Sequence, residues 1–252
     1  MIDLLYNNYM KSSGSGDTWH VDIDPITRPI DSYFEETVNT IEYVYENIGN
    51  EKIYVLYSGG MDSEYVCSVL LHLGIDFTPV IIDLKYNDHD IAYAYKFCDA
   101  HNIKPKVIDI DFRKFVESGK MLEVALNMKS CSYRMPATMY AMLELDGFIL
   151  LGNDPPFMRR NDGVWQLEEE QVIHSIFNFC KHYNINGCPF ILSYTPEMML
   201  SFLQDPIMVR VASDEWPDKR GTNSTKVHVY NNNNGAFIRS EEHTSELQSR
   251  PH

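Results

Sequence analysis

The chain has 252 residues, 44% of them hydrophobic, enough to pack one large α/β domain or one domain with appendages. A formal net charge of −15 argues against a nucleic-acid surface, because duplex or tRNA binding relies on cationic side chains that displace condensed counterions. No segment reaches transmembrane length and the start, Met1-Ile2-Asp3-Leu4-Leu5-Tyr6, has no basic stretch before a long apolar run, so the expectation is a cytoplasmic protein without a membrane partner.

Residues 1–30 carry a Ser-Gly-Ser-Gly stretch (Ser13 to Gly16) and two prolines, Pro25 and Pro29, and read as an extended lead-in. From residue 30 to 48, Tyr33, Phe34, Val38, Ile41, Val44 and Tyr45 recur at three- and four-residue steps, which predicts an amphipathic helix ending near Gly49. A strand over 53–57 follows. After a glycine-rich turn, Tyr65, Val66, Val69, Leu70 and Leu73 line one face of a second helix that Gly74 stops. Residues 77–84 predict a strand, 90–101 a helix and 106–110 a third strand. This βαβαβ alternation with nearly continuous apolar strands indicates a parallel sheet covered on both faces.

Further along, residues 120–128 and 134–145 are helical candidates and 148–151 a fourth strand, with Gly152-Asn153-Asp154 at its carboxyl end. Residues 168–183 read as a helix, and Thr195-Pro196-Glu197 as an N-cap with proline at the first helical position, starting a helix to about residue 203. Beyond Asp205 the pattern fades, and Asn231 to Asn234 is low complexity. Five cysteines, Cys67, Cys98, Cys131, Cys180 and Cys188, include no Cys-x-x-Cys pair, which disfavours a disulfide framework and a zinc ribbon and favours buried thiols. The last stretch, Arg239 to Ser249, resembles the translation of a common sequencing adapter, so residues 239–252 are set aside and the natural gene is expected to continue beyond Ile238.

Tyr54-Val55-Leu56-Tyr57 runs directly into Ser58-Gly59-Gly60-Met61-Asp62-Ser63. Two adjacent glycines let the chain turn sharply and approach a ligand, so that successive N–H groups converge on an anion at the positive end of the following helix. Ser58 and Ser63 add hydroxyl donors. The lysine of a Gly-x-x-x-x-Gly-Lys-Ser/Thr loop is absent, so this is a different kind of phosphate site. Ser58 to Ser63 resembles the PP-loop of the N-type ATP pyrophosphatases, the group containing asparagine synthetase, GMP synthetase and NAD synthetase. The resemblance implies a Rossmann-like α/β/α sandwich with a mainly parallel sheet, of the adenine nucleotide alpha hydrolase-like kind. It also implies ATP as cofactor, cleaved between the α and β phosphates, with AMP passed to an acceptor oxygen and pyrophosphate held in the loop. The corresponding organisation is a lead-in over 1–30, a PP-loop domain over 31–205, an irregular segment over 206–238 and the set-aside tail.

Pyrophosphate carries several negative charges, so Mg²⁺ is expected beside the loop amides, and Asp62 and Asp154 are its candidate ligands. Asp62 can equally cap the helix, and Asp154 can be a turn residue before Pro155-Pro156. The resemblance places adenine beside the end of the second strand, with Ile81, Ile82 and Asp83 reading its edge and Asp83 able to hold the ribose. Charge developing on the α-phosphate calls for a cation, and among Lys129, Arg134, Arg159 and Arg160 the best placed is Arg134. Cys131, between Lys129 and Arg134, could be a lowered-pKa thiol or an incidental one. His174 and His182 stand eight apart on one predicted helix, a weak metal signal.

These readings lead to an asparagine-synthetase-like enzyme that adenylates a small-molecule acceptor so that an amine or ammonia displaces AMP. No glutaminase domain is visible, so nitrogen would come from free ammonia or a separate glutaminase subunit. The alternatives are a 7-cyano-7-deazaguanine synthase-like enzyme, whose zinc-binding cysteines are not matched, a phosphoadenylyl-sulfate reductase-like enzyme, and a non-catalytic nucleotide-binding module.

Overall fold

The computed structural model describes residues 10–12, 19–23, 25–128, 135–153, 155–161, 164–168, 173–213, 215 and 225–231. The lead-in holds a short antiparallel pair, β1 (Met10–Ser12) and β2 (Trp19–Val21), which the sequence pattern does not announce. Helix α1 (Tyr33–Ile48) begins where the apolar periodicity starts, and its first turn is closed by a capping box in which Ser32 and Glu35 satisfy each other's backbone amides.

The central layer assembles from β3 (Ile53–Leu56), β4 (Thr78–Asp83), β5 (Lys106–Asp109), β6 (Phe148–Leu151) and β9 (Gly187–Cys188), a parallel sheet in the order β5-β4-β3-β6-β9. The connections that cover it are α2 (Met61–His72), α3 (Asp88–Ala100), α4 (Phe112–Glu117), α5 (Lys120–Asn127), α6 (Pro136–Met142) and α7 (Ile173–Tyr183). After β9 come a single 3₁₀ turn, α8 (Pro196–Gln204), α9 (Pro206–Ala212) and α10 (Lys226–Asn231). A two-stranded ribbon, β7 (Phe157–Asn161) and β8 (Val164–Glu168), ends on the first residue of the predicted helix over 168–183, and within that range the described residues from Ile173 to Tyr183 form α7.

Alternation along the strands splits the core in two. Ile53, Val55, Tyr57, Ile81, Phe148 and Leu150 pack with α1, α2, α3 and the carboxyl-terminal helices α8 to α10. Tyr54, Leu56, Val80, Ile108, Ile149 and Leu151 pack against α4 to α7. Because successive side chains of a strand leave opposite faces, a strand sandwiched by helices must be apolar throughout, as β3 and β6 are. Each buried aliphatic or aromatic side chain contributes about 1.5–3 kcal/mol by leaving water. The fold is therefore the α/β sandwich with a parallel sheet that the sequence pattern predicts.

The strand order reverses at β3. The chain moves from β3 to β4 and β5 on one side, then returns to place β6 on the other. In open parallel sheets such a reversal leaves a crevice at the carboxyl ends of the strands, because the connections on either side depart to opposite faces.

Candidate functional site

The Ser58–Ser63 turn lies in that crevice. Tyr57 N–H extends the ladder by donating to Val80 O at 2.8 Å, and the chain then bends through Gly59 at φ +82°. A side chain at Gly59 is excluded twice over, by that left-handed backbone and by the Asp90 carbonyl oxygen, which would sit 2.0 Å from a Cβ. The loop is thereby pressed onto the first turn of α3. Gly60 is the N-cap of α2, its N–H donating to Ser58 Oγ at 3.2 Å while its carbonyl accepts from Glu64 N at 3.1 Å and Ser63 Oγ at 3.0 Å. Ser58 Oγ and Ser63 Oγ stand 3.3 Å apart. Both predicted hydroxyls therefore meet at the helix N-terminus, where amides lacking intrahelical acceptors and the helix dipole favour an anion.

The end of β6 closes the other side. Gly152 lies so near the start of α2 that a Cβ there would come within 2.7 Å of Ser63 Cα and 2.8 Å of Asp62 O. Its neighbour Asn153 donates from Nδ2 to Pro189 O at 2.8 Å, tying β6 to the chain after β9.

A cavity of about 260 Å³ opens beside the loop. Ser58 and Ser63 line one end, Leu56, Val80, Ile82 and Leu151 form an apolar floor, and Met135, Ala137 and Thr138 at the start of α6 make a wall. An apolar slot ending in hydroxyls and amides suits a flat ring with a phosphate chain.

The two residues expected at the base separate here. Ile82 lines the cavity and Asp83 does not. Strand alternation turns the Asp83 carboxylate to Lys85, whose backbone N–H and Nζ donate to it at 2.8 Å and 2.9 Å, and Lys85 also pairs with Asp109. The hydrogen bond from Lys85 holds Asp83 below the usual carboxylate range. The main-chain groups at this strand end are also engaged: Asn87 donates from Nδ2 to Ile82 O at 2.9 Å and accepts from Leu84 N at 2.8 Å. Asn87 thus satisfies both of these main-chain groups.

Asp62 is held by residues that sequence reasoning does not single out. Lys226 Nζ donates to Asp62 Oδ2 at 2.7 Å and Tyr230 Oη to Asp62 Oδ1 at 2.6 Å. Each Asp62 oxygen thus accepts one hydrogen bond, and the magnesium-ligand role expected of Asp62 would draw on the lone pairs that remain. Among the described residues no group of three or more His, Cys, Asp or Glu could hold a metal ion. Arg134, Asp154, Lys129 and Cys131 lie outside the described residues, and Arg159 and Arg160 lie on β7. Cys67, Cys98, Cys180 and Cys188 are buried free thiols, as expected; burial pushes Cys98 up to about 11 and Cys180 up to about 12.

No protein-family model matches the chain, and no curated protein matches it. Among solved structures it is similar to a predicted subunit of tRNA methyltransferase from Methanocaldococcus jannaschii, with a TM-score of 0.36 and 23% identity over 60% of this chain and 75% of that one. It is also similar to NMN synthetase from Francisella tularensis, with a TM-score of 0.38 and 18% identity over 85% of this chain and 90% of that one. Both likenesses are too distant to assign an activity. Among the described residues no helix is long and apolar enough to cross a membrane.

Proposed function

We propose that the protein is an ATP pyrophosphatase of the PP-loop kind, which binds ATP across the crevice and adenylates a small acceptor. One observation carries this reading: the Ser58–Ser63 loop ends β3 at the reversal of strand order, with both hydroxyls opening onto an apolar cavity. In the reaction an acceptor oxygen attacks the α-phosphorus, the bond to the bridging oxygen of the β-phosphate breaks, and pyrophosphate leaves with that bond's electron pair. Ser58, Gly59, Gly60, Met61 and Ser63 hold the leaving group, and the cavity over Ile82 takes the base. In this reading Arg134 supplies charge at the α-phosphate and Asp154 serves the metal or the acceptor, both roles being those the sequence suggests. An amine or ammonia, free or from a separate glutaminase subunit, then displaces AMP and forms the new C–N bond.

Preorganised donors placed where charge develops are usually the largest catalytic contribution, and removing one typically costs about 10²–10³ in rate. Incubation with α-labelled ATP and pools of carboxylic and amide acceptors is expected to give labelled AMP and unlabelled pyrophosphate, dependent on one acceptor class. Bound, intact ATP with every pool would overturn the enzymatic reading. That result would favour a non-catalytic nucleotide-binding module.

A further inference from the structure

The donors on Asp62 come from the far end of the chain, 164 and 168 residues away, and both belong to α10. Lys226 and Tyr230 are four residues apart on that helix, so their side chains share one face and reach the same carboxylate. The pair is nearly sealed from water, with Lys226 8% and Asp62 17% exposed. Tyr230 is fixed by stacking on Tyr65, with ring centroids 4.2 Å apart and planes within 7°, and Tyr65 stacks in turn on Tyr33 of α1. Asp62 is the second residue of α2 and follows the N-cap Gly60 by two positions. A buried cation is thus set against the first turn of the helix whose N-terminus forms the phosphate loop.

We propose that Lys226 is the resident cation of this phosphate site, and that Asp62 with Tyr230 positions it there rather than ligating magnesium. The proposal rests on the nucleotide reading above. Burying an ammonium costs several kcal/mol unless it is paired, and Asp62 supplies the pair at a place where pyrophosphate needs positive charge. An ammonium is a compact charge with rotatable donors, able to keep a carboxylate while turning toward phosphate oxygens. Helix α10 then completes the site from outside the βαβαβ unit.

The test is calorimetric titration of the full chain with inorganic pyrophosphate, ATP and adenosine, in EDTA and in Mg²⁺. Wild type is expected to bind pyrophosphate in EDTA with a Kd within about threefold of that in Mg²⁺. Lys226→Met should weaken pyrophosphate at least tenfold in EDTA while adenosine, which needs only the apolar slot, changes less than twofold; Lys226→Arg should recover most of the loss. Because Lys226→Met strands a carboxylate, the double variant Asp62→Asn with Lys226→Met, which buries no lone charge, is measured beside it and should lose pyrophosphate binding equally. Wild type that binds pyrophosphate only with Mg²⁺ overturns the proposal, as does a double variant that melts like wild type and binds pyrophosphate unchanged in EDTA. Wild type that binds neither ATP nor adenosine under any condition overturns the nucleotide reading itself.

Discussion

Gly59 shows how a single position can be required by two independent constraints. Its φ of +82° disfavours any side chain, and a Cβ would meet the Asp90 carbonyl at 2.0 Å. The oxygen belongs to the backbone of α3, so it cannot swing aside as a side chain would. Gly59→Ala is expected to displace the loop from α3 and lower ATP affinity at least tenfold, with a melting-temperature loss corresponding to about 1–3 kcal/mol. An alanine variant that binds ATP like wild type would show that this turn does not hold the nucleotide. Asp83 and Ile82 make the complementary point: neighbours in sequence, they face opposite sides of β4, so only Ile82 reaches the cavity.

Among the elements, α1 depends on an ion pair that its amphipathic pattern does not disclose. Arg28, in the lead-in, binds Glu36 through both guanidinium nitrogens at 2.6 Å and 2.5 Å, and the Asp31 N–H adds a bond at 3.1 Å. Burial pulls the Glu36 carboxyl upward, and the bonds from Arg28 and Asp31 more than offset it, so its net pKa lies below the ordinary carboxylate value. A carboxylate depressed in the folded state stabilises the protein above its unfolded pKa and loses that contribution as pH falls through the folded value. Arg28→Met leaves burial as the main influence and raises the carboxyl instead. Stability of the variant, followed by urea denaturation, should then fall as pH rises from about 4 to 7, by about 3 kcal/mol or less because Arg28 is half exposed. A variant whose pH profile matches wild type would assign the pair no role in holding α1.

At the scale of the molecule, a five-stranded sheet separates two apolar layers, and the free thiols report on it. Cys67, Cys98 and Cys188 lie in the layer of α1 to α3, and Cys180 lies in the layer of α4 to α7. Burial raises all four thiols, which keeps them protonated and unreactive at neutral pH. In a Cys131→Ser background, labelling by an aromatic disulfide is expected to proceed only as fast as the fold opens, and to accelerate in parallel for both layers as urea is added. Fast labelling of Cys180 alone, with the others protected, would mean that the two layers open independently.

The sequence by itself determined the βαβαβ order, the parallel apolar strands and the glycine turn from β3 into α2, because each rests on local physics: side-chain period, glycine backbone freedom and helix capping. Even there one boundary moved, since Glu168, read as the first residue of a helix, is the last residue of β8. Only the tertiary structure decided the rest. The fifth strand is two residues long, too short for any period to register, and exists only because β6 offers an edge for Gly187 and Cys188. Lys226 and Tyr230 belong to a segment with no clear local pattern, where Val227 and Val229 alternate as a strand would, yet it forms a helix packed on α1 and α9. No spacing rule links Lys226 to Asp62, because pairing across 164 residues is set by how layers stack and not by any neighbour in the chain.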